Sequence, residues 1–101
     1  MAVLRIELQD GFAGDEVVCT LDGREVARLS DVRTSLVTSL AAVVEVDAPD
    51  AGPFDVGVSL PAKGLRTDVT VRDPDTERWV VAHVVDGRLV GATATEPPPH
   101  L

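Results

Sequence analysis

Three carboxylates alternate along one short segment of the chain: Asp73, Asp75 and Glu77. The intervening Pro74 and Thr76 are typical of a turn rather than of a strand. Ca²⁺ takes several oxygen ligands, and loops rich in Asp and Glu supply them. We therefore treat these three carboxylates as a candidate calcium site, although an ordinary solvated turn explains the same residues and no EF-hand pattern is present. A second turn also collects acids: Asp47, Asp50 and Asp55.

The only cysteine and one of the two histidines are candidates for nucleophilic chemistry. Alternation of residue types places Cys19 and His83 on inward faces of predicted strands, where a thiolate–imidazole pair could form. A buried Cys is usually a small apolar residue, however, and no Gly-rich turn exposes this one. The chain also lacks Gly-x-Ser-x-Gly and the Gly-rich phosphate-binding motifs. We predict that the protein is not an enzyme and uses no cofactor.

Charge and composition narrow the classes of partner. Seventeen acidic against nine basic residues give a net charge of −8, which opposes binding to nucleic acid and to anionic membranes. One cysteine allows no internal disulfide. The first residues do not form a signal peptide, and no apolar run reaches membrane-spanning length. These features predict a cytoplasmic protein.

The elements that must position these groups are strands, because apolar and polar residues alternate through most of the chain. The apolar positions predicted to face a core are Leu4, Ile6, Leu8, Val17, Cys19, Leu21, Ala42, Val44, Val46, Phe54, Val56, Val58, Leu60, Leu65, Val69 and Val71. Asp22-Gly23 and Asp86-Gly87 predict tight hairpins, since Gly accepts a positive φ. The apolar positions slip phase near Val26 and Leu29, which predicts a bulge or a short edge strand.

Two segments admit more than one interpretation. Residues 30–40 fit a loop that leads into a strand or a helical turn, and their Ser, Thr and Val content favours the loop. Residues 79–85 are apolar on both faces, which predicts a central strand that is covered on both sides. Trp79 is the largest side chain of that strand, and we predict that it packs in the core.

Eight short strands without a convincing helix predict an all-β fold: a single antiparallel β-sandwich of seven or eight strands over residues 1–95. Residues 96–101 form a Pro-rich tail that is expected to be extended. The segment from Ala42 to Val58, with its strand, Gly-Pro turn and aromatic-led strand, resembles the middle of immunoglobulin-like or prealbumin-like accessory modules. That resemblance implies the same general architecture, without the Cys–Trp–Cys pattern of antibody-type domains.

The last strand is the best candidate for an interaction site. It carries few charges to prevent pairing with another strand, and its candidate residues are Val90, Ala92, Thr93, Ala94 and Thr95. The alternative is that the Pro-rich tail folds back over this edge. We predict a non-enzymatic structural or protein-interaction module that binds another protein or its own copies, with residues 30–40 as a further contact. The alternative function is a ligand-binding sandwich with acidic, calcium-binding loops.

Overall fold

The computed structural model describes residues 2–98, which form eight β-strands and one short 3-10 helix at Pro61–Lys63. The strands are β1 (Ala2–Leu8), β2 (Ala13–Leu21), β3 (Arg24–Arg33), β4 (Ala42–Ala48), β5 (Phe54–Leu60), β6 (Leu65–Val71), β7 (Trp79–Val85) and β8 (Arg88–Ala94). The predicted all-β class and most of the predicted strands are therefore confirmed. Residues 99–101 of the predicted tail lie outside the described residues.

The strands form two packed four-stranded sheets. Sheet 1 has the order β4-β1-β7-β8, and sheet 2 has the order β3-β2-β5-β6. Sheet 1 is mixed, because β1 pairs antiparallel with β4 and parallel with β7. The prediction of a purely antiparallel sandwich is therefore wrong for this sheet. Residue alternation indicates which side chains share a face, but it carries no information on the direction in which distant strands pair.

The core lies between the two sheets and is almost entirely aliphatic. The alternating apolar residues of β1, β2 and β5 point into it, as predicted, and Ile6, Val17, Cys19, Val56 and Val58 are fully buried. Such burial is the main source of stability for a domain of this size. The core also fixes which side of each strand faces outward, and so determines the chemistry of the two outer faces.

The irregular region of β3 follows the sequence prediction. Its pairing with β2 is interrupted at Ala13/Asp15, at Asp15/Val17 and at Cys19/Thr20, which indicates β-bulges. β3 is also an end strand, although at ten residues it is not short. Residues 30–33 belong to β3, and residues 34–41 form a loop that leads into β4, as the loop interpretation predicts for this part of the segment. The loop contains a turn at residues 36–38, closed by a hydrogen bond from the Ser39 N–H to the Ser35 carbonyl, which is a single helix-like turn that does not continue into a helix.

β7 lies inside sheet 1, as predicted, but the expectation that it is covered on both sides is wrong. Val80 and Ala82 are buried against sheet 2, whereas Trp79, Val81 and His83 lie on the opposite face and are only half-buried. Trp79 is therefore not a core residue. The smaller side chains face inward because the space between the sheets is already filled by Leu, Ile and Val from neighbouring strands.

Candidate protein-interaction surface

The outer face of sheet 1 is unusually apolar. Cross-strand pairing places Trp79 beside Ala94, Val81 beside Ala92 and His83 beside Val90. Four valines on this side are 40–50% exposed: Val3, Val43, Val85 and Val90. We call this surface the apolar face, and its members are Val3, Val43, Trp79, Val81, Val85, Val90, Ala92 and Ala94. The apolar side chains of β7 and β8 are direct neighbours, whereas charged residues of β1 and β4 lie between Val3 and Val43 on the same side. An exposed apolar patch on a small protein is typical of an interaction site.

The outer face of sheet 2 has the opposite character. Arg28 forms ion pairs with Glu16 and Glu25, and Arg66 lies 2.9 Å from Asp68. These charges cover the strands and keep the face solvated, so it needs no partner to be stable in water. Of the two outer faces, that of sheet 1 therefore carries more exposed large apolar side chains, and they are concentrated on β7 and β8.

The predicted interaction strand β8 stands at one end of sheet 1. Val90 and Ala92 are exposed and Ala94 is half-buried, and all three belong to the apolar face. Thr93 has a different role, because it pairs with inward-facing Val80 and its hydroxyl donates to Glu77 Oε2 at 2.8 Å. Thr95 lies just beyond the strand. The edge predicted from the sequence is thus continuous with the apolar face.

The described part of the tail lies against this face. Glu96, Pro97 and Pro98 line a groove together with Gln9 of the β1–β2 connection and Val81 of β7. Nearby Glu7 is only 5% exposed although it points to the outer side of sheet 1. The tail as far as Pro98 therefore borders the middle of the apolar face. The alternative of a tail that covers the β8 edge also involves residues 99–101, which lie outside the described residues.

A second apolar spot projects from the β3–β4 loop. Leu36 is 100% exposed and Val37 is 81% exposed. The turn beneath them is held by Ser35, whose Oγ accepts from the backbone N–H groups of Val37 and Thr38 at 3.2 and 3.4 Å. Its carbonyl also accepts from the Ser39 N–H at 2.9 Å. Two large apolar side chains are thus held in water on a defined turn, within the segment that the sequence indicated as a further contact.

The candidate calcium loop is organised by hydrogen bonds to its own carboxylates. Glu77 Oε1 accepts from the backbone N–H groups of Arg72 and Asp73 at 2.8 and 3.0 Å. Asp73 Oδ1 accepts from the Asp75 N–H at 3.0 Å. The Asp73 N–H, the Thr93 hydroxyl and the Arg72 N–H hold the pKa of Glu77 below its ordinary value. The acids stabilise the turn, and residues 2–98 contain no group of three or more His, Cys, Asp or Glu side chains placed to hold a metal ion.

The calcium hypothesis for Asp73, Asp75 and Glu77 stays a prediction that thermal unfolding can decide. Bound Ca²⁺ would raise the unfolding temperature at about 5 mM Ca²⁺, because a ligand of the native state alone stabilises that state. Asp75→Asn would then remove the rise without breaking the hydrogen bonds that Glu77 accepts, since Asp75 contributes its backbone N–H and carbonyl to the turn. An unchanged unfolding temperature would show that the three acids serve the turn only.

Cys19 and His83 do not meet. Cys19 is fully buried in sheet 2 and faces the core, and burial raises the pKa of its thiol to about 11. His83 lies on the outer face of sheet 1, beside Val90, so the prediction that it points inward is wrong. A thiol with so high a pKa remains protonated at neutral pH and is a poor nucleophile.

Comparison with known proteins adds no assignment: no protein-family model, no curated protein and no solved structure gives a significant match to this chain. Nor does any helix within residues 2–98 have the length and apolar character needed to cross a membrane.

Proposed function

We propose that this chain is a non-enzymatic structural or protein-interaction module that binds another protein, or a second copy of itself, through β8 and the adjoining apolar face. The observation that carries the proposal is the position of β8 at the end of sheet 1, with Val90 and Ala92 exposed. The edge of β8 can supply backbone hydrogen bonds, and the adjoining apolar face can supply buried apolar area.

The edge contributes backbone hydrogen bonds. An end strand has N–H and C=O groups on one side that no neighbour in its sheet satisfies, and another strand can pair with them. Natural edges are commonly protected by charged side chains, but Arg88 is the only charged residue of β8. A partner strand could therefore approach most of β8 without burying a charge.

The apolar face contributes buried area. Trp79 and the exposed valines lie beside β8, so a partner that pairs with the edge would also cover part of this face. Aromatic side chains near the centre of an interface often supply much of the binding energy. The loop carrying Leu36 and Val37 is a further contact for a larger partner.

For the fold, we propose a prealbumin-like rather than an immunoglobulin-like architecture. Eight strands divided four and four, with β1 and β2 in different sheets, support this. Immunoglobulin-type domains instead keep their first two strands in one sheet. We also propose a cytoplasmic location, which the single, buried cysteine supports.

The test is the native mass of the full chain, measured by size-exclusion chromatography with light scattering over a range of concentrations. If copies associate through β8, Val90→Lys and Ala92→Glu should each weaken association about tenfold or more, because each buries a charge in an apolar contact. The matched control is Ser30→Lys, which places a charge on the exposed end strand of the other sheet.

If the chain is monomeric, the same variants are used to capture a protein partner from the source cell. Val90→Lys should then recover less of that partner than Ser30→Lys. Association that survives both β8 substitutions would contradict the proposal. Loss of association in all three variants would indicate a general charge effect and would also contradict it.

A further inference from the structure

A small groove opens on the outer side of sheet 1 where β7 begins. It has a volume of about 210 Å³ and is lined by Val3, Arg5, Arg78 and Trp79. The backbone N–H of Arg5 in β1 donates to the carbonyl of Arg78, the residue before β7, at 2.9 Å, so the backbones of the two arginines are held next to each other. The groove therefore combines two guanidinium groups with an indole and a valine.

Within the described part of the chain, these two arginines are not held in short ion pairs, unlike four of the nine bases of the chain. Arg28, Arg33, Lys63 and Arg66 each lie 2.7–2.9 Å from a carboxylate. Arg5 Nε, in contrast, lies 3.7 Å from Glu45 Oε1.

Arg78 has no ion-pair partner among residues 2–98. Its Nε donates to the Asp75 carbonyl at 2.9 Å, which fixes the direction of the guanidinium and leaves its terminal N–H groups for another acceptor. Two guanidinium groups thus line one groove of a chain whose net charge is −8.

We propose that this groove binds a single carboxylate carried on an apolar body. The planar fork of Arg78 matches the two oxygens of a carboxylate, and Arg5 adds a second positive charge. Trp79 and Val3 provide the apolar wall that an adjoining hydrocarbon or aromatic group would contact. The proposal concerns a ligand site and does not depend on association through β8.

The surrounding charges favour a monoanion over a phosphate dianion. Asp75 borders an adjoining cavity that shares Val3 and Arg78 with the groove. Glu45 pairs across the strands with Arg5, and Asp47 pairs with Val3. Repulsion from these acids grows with the charge of the ligand, so a dianion is penalised more than a carboxylate.

The chain offers a direct reporter for the test, because Trp79 is its only tryptophan and lines the groove. Two sources of carboxylate are distinguished by two probe pairs: 3-phenylpropionate with its amide, and an acetylated tetrapeptide acid with its C-terminal amide. We expect saturable changes in the Trp79 emission and in the indole N–H resonance with the acids and not with the amides. If the peptide acid binds more tightly than 3-phenylpropionate, the ligand is the C-terminus of a protein chain. If the two acids bind equally, the ligand is a small carboxylate.

Three variants locate the site. Arg78→Gln should weaken binding of the acids about tenfold, because it removes a charge-assisted hydrogen bond. Asp75→Asn should strengthen binding about twofold to fivefold by removing a nearby negative charge. Arg88→Gln is the matched control and should bind like the unaltered chain, because Arg88 is an equally exposed base at the far end of sheet 1.

Equal binding of acid and amide, or full binding by Arg78→Gln, would overturn the proposal. So would the absence of any saturable change in the indole and guanidinium N–H resonances. All titrations are made at concentrations where light scattering shows a monomer, because a second copy on β8 would also cover Trp79, so failure of this site and failure of β8 association give separate results.

Discussion

Gly91→Val should lower the free energy of unfolding by about 2–3 kcal/mol. Gly91 lies in β8, at the point where the end strand of sheet 1 approaches β6 of sheet 2. A Cβ atom at this position would stand 2.7 Å from Val69 Cγ2 and 3.1 Å from Thr67 Cγ2. Both distances are shorter than ordinary van der Waals contact, and valine adds two further methyl groups beyond its Cβ.

Two opposing effects decide the size of this loss. Glycine is unfavourable inside a strand by roughly 0.5–1 kcal/mol, so any side chain gains that amount from the backbone. Overpacking a core typically costs 1–3 kcal/mol and more when the neighbour cannot move. Val69 is buried within the packed sandwich and cannot withdraw without disturbing the core, so the cost exceeds the gain.

Urea unfolding of three variants would test this prediction. Gly91→Ala should cost about 1–2 kcal/mol and Gly91→Val more, so that the loss grows with side-chain size. Ala92→Val, one residue further along, points to the exposed outer face and should change stability by no more than about 0.5 kcal/mol. A fully stable Gly91→Val would mean that β8 separates from β6 at little cost, and the edge strand would then be far less fixed in position than the structure indicates.

The strands and their inward faces could be read from the sequence because alternation is a direct consequence of the pleat. Leu4, Ile6 and Leu8 show this most clearly, since charged or polar residues separate them. For β7 the same logic gave the wrong face. Both of its sides are apolar, so periodicity could not decide whether Trp79 or Val80 faced the core. The space left between the two sheets accommodates the smaller Val80, and Trp79 lies on the outer face.

The candidate interaction surface was predictable only in part, because the sequence shows the residues of each strand but not which strands are neighbours. The scarcity of charge in β8 is visible in the sequence, and so is the apolar second side of β7. Val3 and Val43 could not be added to that surface. β1 joins β7 by a parallel pairing of residues more than seventy positions apart, and β4 is joined to this pair only through β1. The carboxylates of the Asp73 loop show a different limit of sequence reasoning: their spacing fits metal ligands, and it equally fits a turn in which backbone N–H groups donate to Asp73 and Glu77, as they do here.

Gly11→Ala should have the second large effect and lower the free energy of unfolding by about 4 kcal/mol or more. Gly11 has φ of +90°, and a Cβ added there would stand 2.1 Å from the Val84 carbonyl oxygen. This oxygen belongs to the backbone and cannot move aside easily, because the Val84 N–H donates to the Asp10 carbonyl at 2.8 Å and holds the end of β7 against this turn. A methyl group cannot enter unless that hydrogen bond lengthens or the turn is rebuilt.

Gly23→Ala separates the two causes of this loss. Gly23 has nearly the same φ, +84°, but a Cβ there meets nothing within 4 Å. Its substitution therefore measures the conformational cost alone, about 1–3 kcal/mol. The difference between the two variants in urea unfolding then measures the clash at Val84, and it should be at least about 2 kcal/mol. Equal losses of stability in the two variants would show that the β1–β2 turn moves freely. The Asp10–Val84 hydrogen bond would then not hold the end of β7, which leads into β8 and its exposed edge.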